Sequence, residues 1–169
     1  MRKIKFAPVK NKDKELIFRW RNSKFVKKFL LVGKINYDEH SNWISEKLKN
    51  KNSLAWIIIF NKEKIGIAQF KKHKKKTCNA GFYLIGKKYS YLTFFIINLL
   101  HFKIFRKLKC NKIESYINLK NINIRKLNKM SGYTEGKMKE KDFIFTCLIY
   151  SRWIKSFGYK YFKSSYGKL

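Results

Sequence analysis

The stretch Ile113–Tyr133, IESYINLKNINIRKLNKMSGY, constrains this chain more than any other. Ile113–Asn118 is rich in β-branched and aromatic residues, the composition of a strand. Asn118 and Asn121 flank a Leu-Lys pair, and asparagine side chains bond nearby backbone amides in turns and at helix starts. Ile124, Leu127 and Met130 then lie along one helical face. Gly132 stands where a helix C′ residue in the left-handed conformation belongs. The stretch therefore predicts a strand, a capped short helix, a glycine stop and an aromatic residue.

A chain of 169 residues suits one domain with a real core, and 45% hydrophobic residues is ordinary for a globular protein. The charge is not ordinary: 41 Lys and Arg against 10 Asp and Glu give a formal +31. Dense positive surface binds polyanions non-specifically. The bias towards Lys, Asn, Ile, Phe and Tyr, all with AT-rich codons, explains the larger part, because the charge is spread along the whole chain. Loose polyanion binding and a preference for anionic ligands still follow. Cys78, Cys110 and Cys147 are widely spaced and odd in number, which argues against a disulfide framework or a zinc motif and suits a reducing cytosol. The N-terminal MRKIKFAPVK has no apolar core of a secretory leader, so a cytoplasmic location is expected. Tyr89–Phe105 is too short and too interrupted by polar residues for a membrane span.

In chain order, Ile4–Val9 reads as an edge strand holding the only proline, Pro8. Asp13 opens a helical run that breaks at Arg21-Asn22-Ser23. Tyr37–Leu48 reads as a third helix with Asp38 as its cap. Leu54–Phe60 and IGIAQF make a hairpin; KKHKKKT is a solvated turn, and CNAGFYLIG a third β segment. Tyr91–Phe105 reads as one long helix, and Lys141–Trp153 as the last strand. The fold class is α+β: one domain around a mixed, mostly antiparallel sheet with one crossover helix.

This order, with Asn121, Ile124–Leu127 and Gly132-Tyr133 in its late segment, resembles the GNAT acyl-CoA N-acetyltransferase family, with helices on both faces of the sheet. The resemblance covers roughly residues 3–153, and the domain is expected over residues 1–153, with 154–169 a basic, aromatic extension. Trp20-Arg21-Asn22, then Glu39-His40 and Trp43, is similar to the WRN…EH..W arrangement of one branch. That branch acetylates an amino-sugar nucleotide for pseudaminic acid and flagellin glycosylation. The late segment is also similar to the branch that acetylates ribosomal-protein N-termini.

The resemblance implies acetyl-CoA as co-substrate. It places an amino-sugar nucleotide of the UDP-4-amino-4,6-dideoxy-N-acetyl-altrosamine type against Arg21, Asn22, Glu39, His40 and Trp43. Tyr83 and Leu84 would serve the thioester and pantetheine arm, Lys87, Lys88, Ser90 and Tyr91 the pyrophosphate, and Asn121 and Arg125 would close the coenzyme site. Candidates for a catalytic residue are Glu39, His40 and Tyr83; no metal is implied. The chain departs from the family at four places. Ile124 stands where serine is common, and only Gly86 remains of the glycine-rich loop. Asn128 holds the position of the general-acid tyrosine, and Asn79 that of a carboxylate. Two other readings stay open: a protein N-terminal acetyltransferase, and a degenerate GNAT domain that binds nucleotide or RNA.

Overall fold

The computed structural model describes residues 4–28, 30, 33–140 and 142–166. The expected start of the last strand at Lys141 and the end of the tail at 167–169 lie outside them. Seven strands form one sheet: β1 (Ile4–Pro8), β2 (Ser53–Phe60), β3 (Glu63–Lys74), β4 (Thr77–Leu84), β5 (Lys112–Asn118), β6 (Thr134–Glu140) and β7 (Phe143–Ile149). Their order is β1-β2-β3-β4-β5-β7-β6. β4 and β5 are parallel, while β1–β2, β2–β3, β5–β7 and β6–β7 are antiparallel. This is the expected α+β fold, with Pro8 on an edge strand. The helices are α1 (Lys14–Asn22), α2 (Lys24–Lys27), α3 (Tyr37–Lys49), α4 (Thr93–Phe102), α5 (Ile122–Met130), α6 (Tyr150–Trp153) and α7 (Phe157–Tyr166). Among the described residues no helix is long and apolar enough to cross a membrane.

Three local expectations are corrected, and one strand is added. The last strand ends at Ile149, and Tyr150–Trp153, expected to continue it, is the helix α6. KKHKKKT is not one turn: β3 runs on through Lys74, and only Lys75 and Lys76 turn. The helix expected over Tyr91–Phe105 is three geometries, a 3-10 turn at Lys87–Leu92, then α4, then a π turn at Lys103–Lys107. The added strand is β6: TEGKMKE has no apolar alternation to mark it, and as an edge strand beside β7 it has little to bury.

The chain makes two compact units. The first comprises Arg2–Lys71 and Ala80–Ser90. Its hairpin turns on Asn61 and Lys62, both at positive φ (47° and 71°), the geometry a two-residue turn needs to match strand twist. Its core is Val9, Ile17, Ile44, Ala55, Ile57 and Ile67, with Trp20, Trp43, Ile59 and Tyr83 packed against it. A Cβ at Gly66 would stand 2.2 Å from the Tyr83 carbonyl oxygen, so glycine is needed where β3 passes β4. Asp13, almost fully buried, accepts from Lys64 Nζ at 2.6 Å and from the Lys10 amide at 3.0 Å. Burial alone would raise its pKa, but those bonds hold it below the usual value.

The second unit comprises Lys72–Asn79 and Tyr91–Leu169. Ile113 and Leu148 pair across β5 and β7 and are fully buried. Trp153, also fully buried, donates its indole N–H to Asn98 Oδ1 at 3.0 Å. α7 lies on α4: Phe157 and Tyr161 meet Phe94, and Phe162 meets Phe95 and Phe102. α5 ends as its sequence predicts. Asn121 Oδ1 accepts from the Ile124 amide, Gly132 has φ 91°, and the Gly132 and Tyr133 amides donate back to Lys129 O and Asn128 O, both at 3.0 Å. Tyr133 then reaches the buried His101, whose Nε2 lies 3.0 Å from the Tyr133 hydroxyl.

Gly132→Ala places a Cβ 3.1 Å from the Arg152 carbonyl oxygen at positive φ, and should cost about 1–3 kcal/mol in urea unfolding. An unchanged midpoint would remove the steric argument. Burial holds His101 down to about 3, against an ordinary value of 6.5. The unfolded chain therefore binds a proton that the folded chain refuses in that window, and stability falls as pH drops from 6.5 towards 3. The pH dependence of unfolding free energy should be shallower in His101→Gln by up to about 1.4 kcal/mol per pH unit. Parallel curves for the two proteins would contradict it.

Candidate active site

The residues Trp20, Arg21, Asn22, Glu39, His40 and Trp43 all lie in the first unit, and most are engaged in holding it together. Asn22, last residue of α1, grips the backbone of Ile35 at two points: Nδ2 donates to Ile35 O at 3.0 Å and Oδ1 accepts from Ile35 N at 3.1 Å. Arg21 Nη1 donates to Gly33 O at 3.2 Å. Asn36, not Asp38, caps α3: its Oδ1 accepts from the Glu39 amide at 2.8 Å, and Glu39 Oε2 accepts from the Asn36 amide at 3.0 Å. Asn36 wins because a cap must sit one residue before the helix, whereas Asp38 is inside the first turn, where it favours the helix dipole instead.

His40 and Glu39 face opposite ways: Glu39 is exposed, and His40 is only 1% exposed. His40 Nε2 donates to Lys14 O at 2.8 Å, since a carbonyl can only accept, and its ring packs between Phe18 and Trp43. Burial lowers its pKa, so it is neutral and pins α3 to the start of α1. Lys14 adds a second tie, Nζ to Ser41 Oγ at 2.6 Å. Trp43 packs on the core and carries Lys47 Nζ 5.6 Å from its ring centre. Lys47 is itself buried, donates to Ser53 Oγ at 2.6 Å, and is lowered by burial to about 8. No feature of the sequence marked Lys47, because lysine rarely enters a core.

Tyr83 is the candidate whose polar atom is least accounted for. Its hydroxyl oxygen is fully enclosed and has no hydrogen-bond partner among the described residues, although the ring is half-buried. Burial raises its pKa; the nearby Arg21 guanidinium opposes that and is itself lowered by burial. An enclosed hydroxyl without a partner costs about 1–3 kcal/mol, which a ligand acceptor would recover. Leu84, the next residue, is buried.

The expected pyrophosphate loop is the 3-10 turn Lys87–Leu92. Such a turn spends amide donors internally, as Tyr89 N to Gly86 O at 3.2 Å shows. Tyr89 is buried and donates its hydroxyl to Glu63 Oε2 at 2.7 Å, anchoring the turn. Lys87, Lys88 and Ser90 are exposed, and Tyr91 is 62% exposed. In the second unit Asn121 is an N-cap, and Arg125 makes a two-point ion pair with Glu135, both bonds 2.7 Å. Among the described residues no group of three or more His, Cys, Asp or Glu side chains could hold a metal ion.

β5 is paired unevenly with its two neighbours. It pairs with β7 over its whole length, Lys112–Asn118, but with β4 only at Thr77–Lys112, Cys78–Ile113 and Asn79–Glu114. Asn79 Nδ2 donates to Glu114 O at 2.9 Å, taking a carbonyl where the ladder stops. The β4 register ends there, while β5 stays paired with β7 through Asn118. Glu114's carboxylate meets His73 Nε2 at 3.0 Å and Lys112 Nζ at 2.6 Å. This cluster joins residues 41 positions apart, and only the strand register reveals it.

The model of the acetyltransferase (GNAT) domain family matches residues 3–134. The chain is 26% identical over 143 residues to acetyltransferase PseH of Campylobacter jejuni, covering 85% of this chain and 90% of that protein. Its fold is similar to that of C. jejuni N-acetyltransferase PseH in complex with acetyl coenzyme A (TM-score 0.66, 21% identity, 89% of this chain and 99% of that one). It is also similar to spermidine N-acetyltransferase from Vibrio cholerae in complex with CoA and spermine (TM-score 0.79, 13% identity, 89% and 98%).

The brace at Asn22 can be tested by itself. Asn22→Ala leaves both Ile35 backbone groups without their side-chain partner and should cost about 1–3 kcal/mol in urea unfolding. Asn22→Asp, which keeps only the acceptor, should fall between. A neutral Asn22→Ala would show that water replaces the brace.

Proposed function

Because the chain belongs to the GNAT acetyltransferase family, we propose that it transfers the acetyl group of acetyl-CoA to the amine of an amino-sugar nucleotide used in surface-glycan or flagellin sugar synthesis. The acceptor is of the UDP-4-amino-4,6-dideoxy-N-acetyl-altrosamine type. The observation that carries this reading is the WRN…EH..W set from Trp20 to Trp43, gathered within one unit. Trp20, Trp43 and Tyr83 pack on one core, and the Arg21 guanidinium lies near the Tyr83 ring, so the residue types suited to a charged sugar nucleotide share one unit.

In the transfer, the amine nitrogen bonds the thioester carbonyl carbon and the C–S bond breaks; the amine loses a proton and the thiolate leaves. A thiol pKa of about 8.5 makes that leaving group tolerable without the tyrosine that Asn128 replaces. Asn128 is buried in the second unit, with Oδ1 unpartnered among the described residues. Tyr83 supplies an enclosed hydroxyl donor, and Arg21 beside it supplies positive charge for the diphosphate of the acceptor. Lys87 and Lys88 give the coenzyme's phosphates exposed positive charge. Glu39 and His40 act as positioning residues, since one caps α3 and the other pins it to α1. The charge of +31 also favours an anionic acceptor over a polycation such as spermidine.

The test is release of CoA thiol from acetyl-CoA in the presence of the UDP-amino sugar, set beside ribosomal-protein N-terminal peptides and spermidine. Turnover is expected with the sugar nucleotide alone. Arg21→Ala should raise KM for it about tenfold or more, with a smaller change in kcat. Turnover of the peptides and not of the sugar would transfer the chain to the protein-acetylating branch. Absence of binding to both acetyl-CoA and CoA in calorimetry would leave a degenerate domain.

A further inference from the structure

The second unit holds a pocket of about 670 Å³ at the end of α4 and the start of β5. It lies at the far end of α4 from Tyr91, and the 10 residues of α4 span about 15 Å at an α-helical rise of about 1.5 Å per residue. None of the residues assigned above to acetyl transfer lines it. Four cationic side chains do: Lys76, Arg106, Lys107 and Lys109. Among the described residues Lys76, Lys107 and Lys109 have no carboxylate within 4.0 Å, and no lining residue is acidic. Phe102, Phe105 and Tyr150 supply apolar wall.

The backbone is bent to build this rim. In the π turn the Leu108 amide donates to Lys103 O, five residues back, at 3.0 Å, and Lys109 follows at φ 56°. A lysine in the left-handed region and a π turn each cost conformational energy, and both features concentrate at functional sites. Arg106 is held in place by a 2.9 Å bond from Nη1 to the Tyr150 hydroxyl, which fixes a planar cation beside an aromatic ring. Lysine is abundant everywhere in this chain, so charge alone would mark nothing. A concave wall of aromatic rings between the charges is what distinguishes this place.

We infer that this pocket binds a nucleoside phosphate, with the phosphates on Lys76, Lys107 and Lys109 and the planar base against the Phe102, Tyr150 and Arg106 side. The volume lies within the ~300–1,000 Å³ range of small-molecule sites. Rings with neighbouring cations are the usual partners of bases and phosphates. The inference does not depend on the acetyl-transfer reading.

The experiment is calorimetric titration of the full chain with ATP in the presence of saturating CoA, which occupies any coenzyme site that would also take an adenine nucleotide. One-site binding is expected. It should weaken about tenfold or more in Lys107→Glu/Lys109→Glu, and stay within about twofold in Lys160→Glu/Lys163→Glu, which makes the same charge change at exposed positions of α7. Inorganic triphosphate should bind at least about tenfold more weakly than ATP. Equal weakening in both double variants, equal affinity for triphosphate and ATP, or absence of ATP binding would each overturn the assignment. So would displacement of ATP by a single-stranded oligonucleotide at far lower concentration, which would give the pocket to nucleic acid.

Discussion

Three residue pairs join the parallel strands β4 and β5, and the rest of the structure is arranged around how short that junction is. Cys78 and Ile113, the central pair, are fully buried, so the junction is fastened by apolar packing rather than by ladder length. Asn79 then turns its side chain on the Glu114 carbonyl and ends the pairing. A parallel pair needs a crossover, and α4 supplies it. β5 keeps its whole length because β7 pairs with all of it.

The few carboxylates are spent where the fold needs them. Asp13 holds Lys64, Glu46 holds Lys71, Glu114 holds Lys112 and His73, and Glu135 holds Arg125. Glu39 closes a helix cap and Glu63 anchors the turn before α4. With 41 cations and 10 acids, each acid placed in a structural bond leaves the remaining surface more positive. That surplus favours anionic partners and repels cationic ones, and it makes geometry, not charge, the discriminating property of any one site.

Much of the fold could be read along the chain. The unit from Ile113 to Tyr133 formed as read, because turn asparagines, a three-spaced apolar face and a terminal glycine act over a few residues. The WRN…EH..W residues were a harder case. Their types suit recognition of a charged sugar nucleotide, yet Asn22, Glu39 and His40 spend their polar atoms on Ile35, Asn36 and Lys14. Sequence shows which groups are present; it does not show which of them are already occupied. The same gap hid Lys47, the Glu114 cluster and the polar core around His101, all made by residues far apart in the chain.

By itself the sequence determined most of the element types, the stop at Gly132 and the family, since propensity, capping and spacing are local properties carried by neighbouring residues. It also determined the charge, which is additive. Tertiary structure alone decided where β4 and β5 cease to pair, which hydroxyls are enclosed without a partner among the described residues, and which cations gather around aromatic rings. Those outcomes depend on register and burial, and both are set by contacts between segments that no local pattern records.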